Sequence, residues 1–443
     1  MERQIDPILT KWKRSKIRKP LLVRGARQVG KTYSIEHFGK FNFDNTVIIN
    51  FEEQPEFIDC FINNNPKEIV DRISILAKSS IRPQKTLLVL DEIQECPQAI
   101  TALRYFYEKM PELHVIGAGS LIEFVLRSEK FRMPVGRVQS VFMYPMFFNE
   151  FLLALNENRL IEYIETIELM TGIEPVFSQK LEHLFRLYLL IGGMPEVIRA
   201  YKDQLLMDDI QTLQSGLIRS YSDDFAKYAS TAKHKYLKEV FNNAPGMVCQ
   251  RYKYSHVNPN IESKFLKDAL ELLCDAKCLS KISHASGAGI PLASTENQRK
   301  FKMSYLDVGL MQNALNTQSA IIQNSSIFQV NAGSVAEQFV AQELRAIIDP
   351  YSDKALHFWA REAKGSNAEV DFLIEIDGFP IPVEVKSGTT GSLKSMRLFL
   401  NQYPHTPLGV RYSMHDLSFT NDLLSIPLYM VDQTKRLIRS CIH

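Results

Sequence analysis

The chain has 443 residues, too many for a single hydrophobic core, so two to four domains are expected. Its 45% hydrophobic and 23% charged content is ordinary for a soluble globular protein. Lys and Arg number 52 against 50 Asp and Glu, and a net charge of +2 excludes a nucleic-acid argument from overall charge; local patches would have to carry it.

Six cysteines, at Cys60, Cys96, Cys249, Cys274, Cys278 and Cys441, show no disulfide-framework spacing and suit a reducing cytosol. Cys274 and Cys278 lie one helical turn apart with no histidine nearby in sequence, which favours a buried apolar role over metal binding. No run of about 18 apolar residues occurs and the N-terminus lacks a signal-peptide core. A cytoplasmic protein without membrane contact is therefore expected.

In chain order, the basic patch Lys11, Lys13, Arg14, Lys16, Arg18 and Lys19 reads as the solvated face of a helix. An apolar strand at 20–24 follows, then the loop Gly25-Ala26-Arg27-Gln28-Val29-Gly30-Lys31-Thr32, then a helix through Lys40. Gly25 and Gly30 let the backbone aim a row of N–H groups at phosphate oxygens. Lys31 supplies charge for the β- and γ-phosphates, and Thr32 a hydroxyl for Mg²⁺. Further strands are expected at 46–51, 86–91, 113–118 and 138–142, alternating with helices as in a parallel α/β sheet. The third ends in Leu90-Asp91-Glu92, where Asp91 can hold Mg²⁺ through water and Glu92 can polarise the attacking water. ATP and Mg²⁺ are the implied ligands. After the fourth strand, Ser120 is a candidate γ-phosphate sensor and equally a candidate N-cap of the segment 121–126, two roles that do not exclude each other. Arg137, after Gly136, is either an arginine finger, in cis or on a neighbouring subunit, or an ordinary surface arginine.

From Met143 to about Leu206 the pattern is helical, broken at Gly192-Gly193-Met194-Pro195-Glu196; by chemistry alone this is a helix boundary. Helices at 232–243 and 261–275, followed by a short hairpin built from 276–282 and 287–293, suggest a winged-helix unit. Its second helix mixes Lys264 and Lys267 with Glu262, Asp268 and Glu271, which favours a spacer over a DNA reader. A helix at 332–348 carries Glu337, and a strand follows at 356–360. Two alternating apolar runs, 369–376 and 381–386, are joined by the hairpin turn Asp377-Gly378. Glu384 and Lys386 share one face, and Asp371 on the partner strand can join them. Asp371 and Glu384 could then hold Mg²⁺ beside Lys386, with Glu337 adding a ligand, for phosphodiester attack on DNA or RNA. An edge hairpin with solvated charges is the alternative.

Together these segments identify a family. The chain resembles, nearly end to end, bacterial and archaeal AAA-type ATPases that carry a C-terminal domain of unknown function. The likeness rests on 24–32, Asn50-Phe51-Glu52-Glu53, 90–97, Gly117-Ala118-Gly119-Ser120, Gly136-Arg137-Val138, 192–196, 305–310 and Glu384-Val385-Lys386-Ser387. It implies an AAA-type P-loop ATPase core over 1–150, a helical lid over 151–229, a winged helix over 230–295 and a PD-(D/E)XK nuclease-like domain over 296–443. The nuclease positions map to Glu337, Asp371, Glu384 and Lys386, with Val370 where the superfamily's proline would stand. The Gly-Gly-x-Pro break also resembles the motif by which related signalling ATPases set a proline against adenine, here Pro195. A Mg²⁺-dependent ATPase controlling a nuclease-like domain is expected; a nucleotide-operated switch for a protein partner, with an inactive nuclease fold, is the alternative. Homo-oligomers fit either.

Overall fold

The computed structural model describes residues 1–126, 136–225, 231–318, 332–353, 355–362, 367–387 and 393–442. They form two compact units: Met1–Pro145 with Asp275–Lys277 and Asp349–Asp353, and the remainder from Met146 onward.

The first unit is built on a parallel sheet of β1 (Leu21–Arg24), β2 (Asn45–Asn50), β3 (Thr86–Asp91), β4 (His114–Gly119) and β5 (Gln139–Phe142), in the order β2-β3-β4-β1-β5. Each residue of β3 and β4 is buried, as the unbroken apolar runs require of a sheet covered on both faces. The helix Pro66–Leu76 starts where Asn65 accepts the Lys67 N–H and proline occupies the first turn. Ile49, Phe51, Leu88, Leu90, Leu103 and Phe106 are among the residues that fill the core. Because β4 lies between β1 and β3, the carboxyl ends of these three strands stand side by side. Ligands of open α/β sheets bind at that edge.

The second unit holds a mixed eight-stranded sheet in the order β12-β13-β11-β10-β9-β8-β6-β7. Its strands are β6 (Leu279–His284), β7 (Asn297–Tyr305), β8 (Leu356–Ala360), β9 (Glu369–Ile376), β10 (Phe379–Val385), β11 (Gly409–Ser413), β12 (Ser418–Thr420) and β13 (Leu423–Pro427). The expected hairpin after residue 276 is present, but its second strand is β7 rather than 287–293. Asn297-Gln298-Arg299-Lys300 form the polar, unburied half of β7, and Phe301 to Tyr305 turn into the core. Moreover β6 pairs with β8, so the hairpin extends the C-terminal sheet and the expected boundary at 295/296 cuts through that sheet.

Helices assigned to a lid also pack inside this second unit. Phe185, on Pro175–Ile191, meets Phe339, on Ala332–Ile347, with ring centroids 4.7 Å apart. The Gly-Gly break has a packing cause. A Cβ on Gly193 would lie 2.0 Å from the Met146 carbonyl oxygen, and the Gly193 N–H donates to Asp307 Oδ2 at 2.7 Å. Asp307 also caps the helix Val308–Ala314 through the Leu310 N–H. Two motifs far apart in sequence thus lock together. Among the described residues, no helix is long and apolar enough to cross a membrane.

Candidate nucleotide site and carboxylate cluster

At the edge of the first sheet, Gly25 leaves β1 at φ 148°, and a Cβ there would strike the Met143 carbonyl oxygen at 2.0 Å. Lys31 opens the helix Lys31–Asn42, and its Nζ donates to the carbonyls of Gly25 (3.1 Å) and Ala26 (2.7 Å). Burial lowers its pKa to about 8, with Glu92 and Asp91 opposing. The loop thus folds its own carbonyls onto a desolvated cation at the start of a helix, a position where a phosphate can take the carbonyls' place.

Thr32 Oγ1 donates to Asp91 Oδ2 at 2.9 Å, and Asp91 Oδ1 accepts the Glu92 N–H at 3.1 Å. Burial raises the Asp91 pKa, and the Thr32 hydroxyl partly offsets this. Hydroxyl and carboxylate oxygens side by side are a donor set suited to Mg²⁺. Glu92 turns the chain off β3 in a left-handed conformation, φ 45°, and its Oε2 accepts from Gln94 Nε2 at 2.6 Å. Gln94, which sequence reasoning passed over, therefore orients the carboxylate expected to polarise water. Arg27 pairs with Glu52 at 3.6 Å. Ser120, at the end of β4, is buried and its Oγ has no hydrogen-bond partner. Its side chain therefore caps no backbone N–H of the segment 121–126.

Arg137 requires a correction. It precedes β5, whose first residue pairs with Leu21 at the amino end of β1, so it sits at the sheet edge opposite the phosphate loop. Its Nε is bound to Glu108 at 3.0 Å. A role in cis is excluded by the strand direction. Pro134 and Val135, which precede Gly136 in sequence, lie outside the described residues. Pro195 begins the helix Pro195–Lys202 and is partly exposed.

In the second unit the β9–β10 ladder pairs Phe372 with Val383, and continuing that register sets Asp371 opposite Glu384. Directly opposed residues share a face. Beyond Val383 the Asp371 side chain replaces the main chain: its Oδ2 accepts the Val385 N–H at 2.8 Å. Lys386 Nζ donates to Glu384 Oε1 at 2.6 Å. The expected residues do converge, with two additions. Lys302 on β7, 2% exposed, sets its Nζ 2.6 Å from Glu369 Oε1 and 3.8 Å from both Glu337 Oε2 and Asp371 Oδ1. Glu369 in turn receives Arg251 Nε at 2.7 Å. The only sequence signal for Lys302 was a lysine between Phe301 and Met303 in an otherwise inward-facing run.

Burial, then Asp371, pushes Glu337 up to about 8 and Glu384 up to about 7. Burial acts against the charge on Lys302, but Glu337, Asp371 and Glu369 outweigh it and raise its pKa. Glu337 Oε2 and Glu384 Oε2 are buried without hydrogen-bond partners. Among the described residues, no three His, Cys, Asp or Glu side chains form a ready ligand set. Mg²⁺, however, is commonly held by one or two carboxylates with water, and the Asp371–Glu384 pair with its orphaned oxygen fits that demand.

Residues 17–152 match a family described as AAA domain, so the first unit carries an AAA-type P-loop ATPase domain. Residues 182–320 and 332–429 match two families described as domains of unknown function. No curated protein matches the chain. Among solved structures it is similar to a Walker-type ATPase of Pyrococcus abyssi, with 13% identity, TM-score 0.45, and coverage of 71% of this chain and 95% of that one. The Orc1 protein of Aeropyrum pernix in complex with DNA shares 12% identity at TM-score 0.29, covering 72% and 91%. AMPPCP-bound DnaA from Aquifex aeolicus shares 13% at TM-score 0.24, covering 61% and 91%.

Proposed function

We propose that this chain, built on an AAA-type P-loop ATPase domain, is a cytoplasmic Mg²⁺-dependent ATPase whose nucleotide state controls a nuclease-like unit acting on nucleic acid. The observation that carries the reading is the meeting of Asp371, Glu384, Lys386 and Glu337 in one cluster, half-buried around the buried Glu384. In the ATPase half, Lys31 binds the phosphates, Thr32 and Asp91 hold Mg²⁺, Glu92 orients water and Ser120 senses the γ-phosphate. Pro195 packs on the adenine, and a nucleotide-bound structure with that proline remote from the base would remove it from the site. In the other half, Asp371 and Glu384 hold Mg²⁺, which when bound supplies Lewis-acid charge, while Lys386 stands beside the attacking water.

Lys302 favours a second reading. A buried cation already neutralising the carboxylates suits an inactive nuclease fold, used as a nucleotide-operated switch for a protein partner or a second copy. Incubating the protein with DNA and with RNA, with and without ATP and Mg²⁺, decides between them. Cleavage that disappears in Asp371→Ala and in Glu384→Ala, with ATP hydrolysis kept, supports the nuclease. No Mg²⁺-dependent cleavage under any combination leaves the switch.

A further inference from the structure

Beside the carboxylate cluster, a cleft of about 220 Å³ opens between the 251–253 segment, β6, β7 and the end of β8. Among the described residues five cationic side chains line it, Arg251, Lys253, Arg299, Lys300 and Arg361, against the carboxylate of Glu362. All five are exposed at its rim. Arg251 and Lys300 are bound to Glu369 and Glu362, each at 2.7 Å. Lys253, Arg299 and Arg361 show no ion pair among the described residues. For a chain of net charge +2, this is a strong local concentration of positive charge.

The cleft wall is aromatic. Tyr252 stacks on Phe301 with centroids 5.1 Å apart and planes 22° from parallel, and the buried Phe358 lines the same space. The 251–253 segment is held to β7 by the Tyr252 N–H, which donates to the Phe301 carbonyl at 2.9 Å. Within this wall sits His284, 3% exposed. Its Nε2 lies 3.1 Å from the Ala360 carbonyl, which can only accept, so Nε2 carries the proton. Nδ1 is then an acceptor, and it is buried with no partner. A buried acceptor without a donor is rare enough to require an explanation.

We infer that the cleft binds one nucleotide unit of a single-stranded nucleic acid, with phosphates on Arg299, Arg361 and Lys253 and a base against the Tyr252–Phe301 wall. A base N–H supplies the donor that His284 Nδ1 lacks. Cations along a backbone combined with aromatic side chains are how single strands are held without sequence preference. The volume falls below the range of about 300–1,000 Å³ that encloses drug-sized ligands, so it admits a base and not a base pair. Position completes the inference. Glu369 takes Arg251 from the cleft on one oxygen and Lys302 from the carboxylate cluster on the other, so the two features touch. A strand seated here presents its next phosphodiester toward Asp371 and Glu384. This rests on the nuclease reading for its purpose, but not for the binding itself.

The test is fluorescence anisotropy of the full-length protein with a labelled single-stranded oligonucleotide, DNA or RNA, in EDTA so that no strand is cut. The expected result is tighter binding of the single strand than of its duplex, weakened at least tenfold in Arg299→Glu/Arg361→Glu. The salt dependence should also flatten by about 1.4 in slope, because two phosphates of a single strand are no longer neutralised. His284→Phe, which removes the Nδ1 acceptor along with the Nε2–H held by the Ala360 carbonyl but no cation, should weaken binding while leaving the salt slope unchanged in protein that melts like wild type. Charge-reversed protein that melts like wild type and binds within twofold of it overturns the inference. So does equal affinity for duplex, or displacement by free dTMP at a concentration matching the nucleotide units of the oligonucleotide. Glu384→Ala keeps binding if the cleft is right, whether or not the wild-type protein cuts. Binding without cleavage in Mg²⁺ therefore refutes only the nuclease, and cleavage indifferent to the cleft variants refutes only the cleft.

Discussion

In the nucleotide site, Lys31 and Thr32 open the helix that follows β1 while Asp91 and Glu92 stand at the carboxyl end of β3, and the buried Lys31 ammonium is held by main-chain carbonyls. In the carboxylate cluster, Glu337, Glu369, Asp371 and Glu384 come from one helix and two strands, and a buried lysine from a third strand already lies among them. Lys31 thus has no anionic partner of its own at bonding distance, and an incoming phosphate supplies one. The carboxylates have Lys302, so an incoming Mg²⁺ must share them with it or displace it. One site is built to be completed by its ligand. The other folds as a self-neutralised unit whose chemistry depends on how firmly Lys302 is held.

The sharpest way to break that contrast is to remove the parts of the first site. Lys31→Ala should abolish ATP binding. Glu92→Gln should still bind ATP but hydrolyse it about 10²–10³-fold more slowly, the scale of losing one group aimed at the transition state. Equilibrium binding of a fluorescent ATP analogue and steady-state phosphate release separate the two. Wild-type turnover in Glu92→Gln would reassign the residue that orients water, with Gln94 the next to test.

The contrast also explains what was legible in the sequence. The phosphate loop, Asp91 and Glu92 are local: each lies at a strand end that an apolar run announces, so strands 20–24 and 86–91 located the site within a residue or two. Asp371, Glu384 and Lys386 were legible because a hairpin with an Asp-Gly turn fixes its own register. Lys302 was not, because β7 starts with four polar residues and its membership of the C-terminal sheet is a long-range pairing with no local signal. For Arg137 only the finger in cis is ruled out, and for the opposite reason. Its motif was clear, but which edge of the sheet it faces depends on the direction of β5. The glycines at 192–193 were read as a helix boundary, which they are, whereas their close approach to Met146 and Asp307 is visible only once Asp307 is placed.

Removing Lys302 sharpens the comparison from the other side. Lys302→Met keeps most of the unbranched side chain but leaves Glu337, Glu369 and Asp371 without their shared cation. Breaking a buried ion pair by taking away one partner costs about 3–5 kcal/mol, because the remaining charge is left uncompensated. The denaturant midpoint of the second unit's unfolding should fall accordingly, and Mg²⁺ should restore more of the loss in the variant than it adds to wild type. If the midpoint does not move, the carboxylates are not held by Lys302, and the site resembles the nucleotide site in waiting for its ligand.

The smallest effect concerns protons. Glu337 and Glu384 are pushed up to about 8 and about 7 in the folded protein, whereas an unfolded glutamate titrates near 4.3. As pH rises from about 4.5 toward 8, the unfolded chain gives up these protons first. The stability they contribute is therefore complete below about 4.5 and lost progressively up to about 8. A carboxamide does not titrate, so Glu337→Gln should be no more stable than wild type at pH 5 but more stable at pH 8. The side chain of Glu337 is 21% exposed, which softens the penalty to about 1–2 kcal/mol. Mg²⁺ binds the ionised form, so it should raise the wild-type melting temperature more at pH 8 than at pH 5. In Glu384→Gln, which removes half of the proposed ligand pair, that increment should vanish. A Mg²⁺ response equal at both pH values would place the ion outside the cluster, and only the ATPase site would then remain as its binding place.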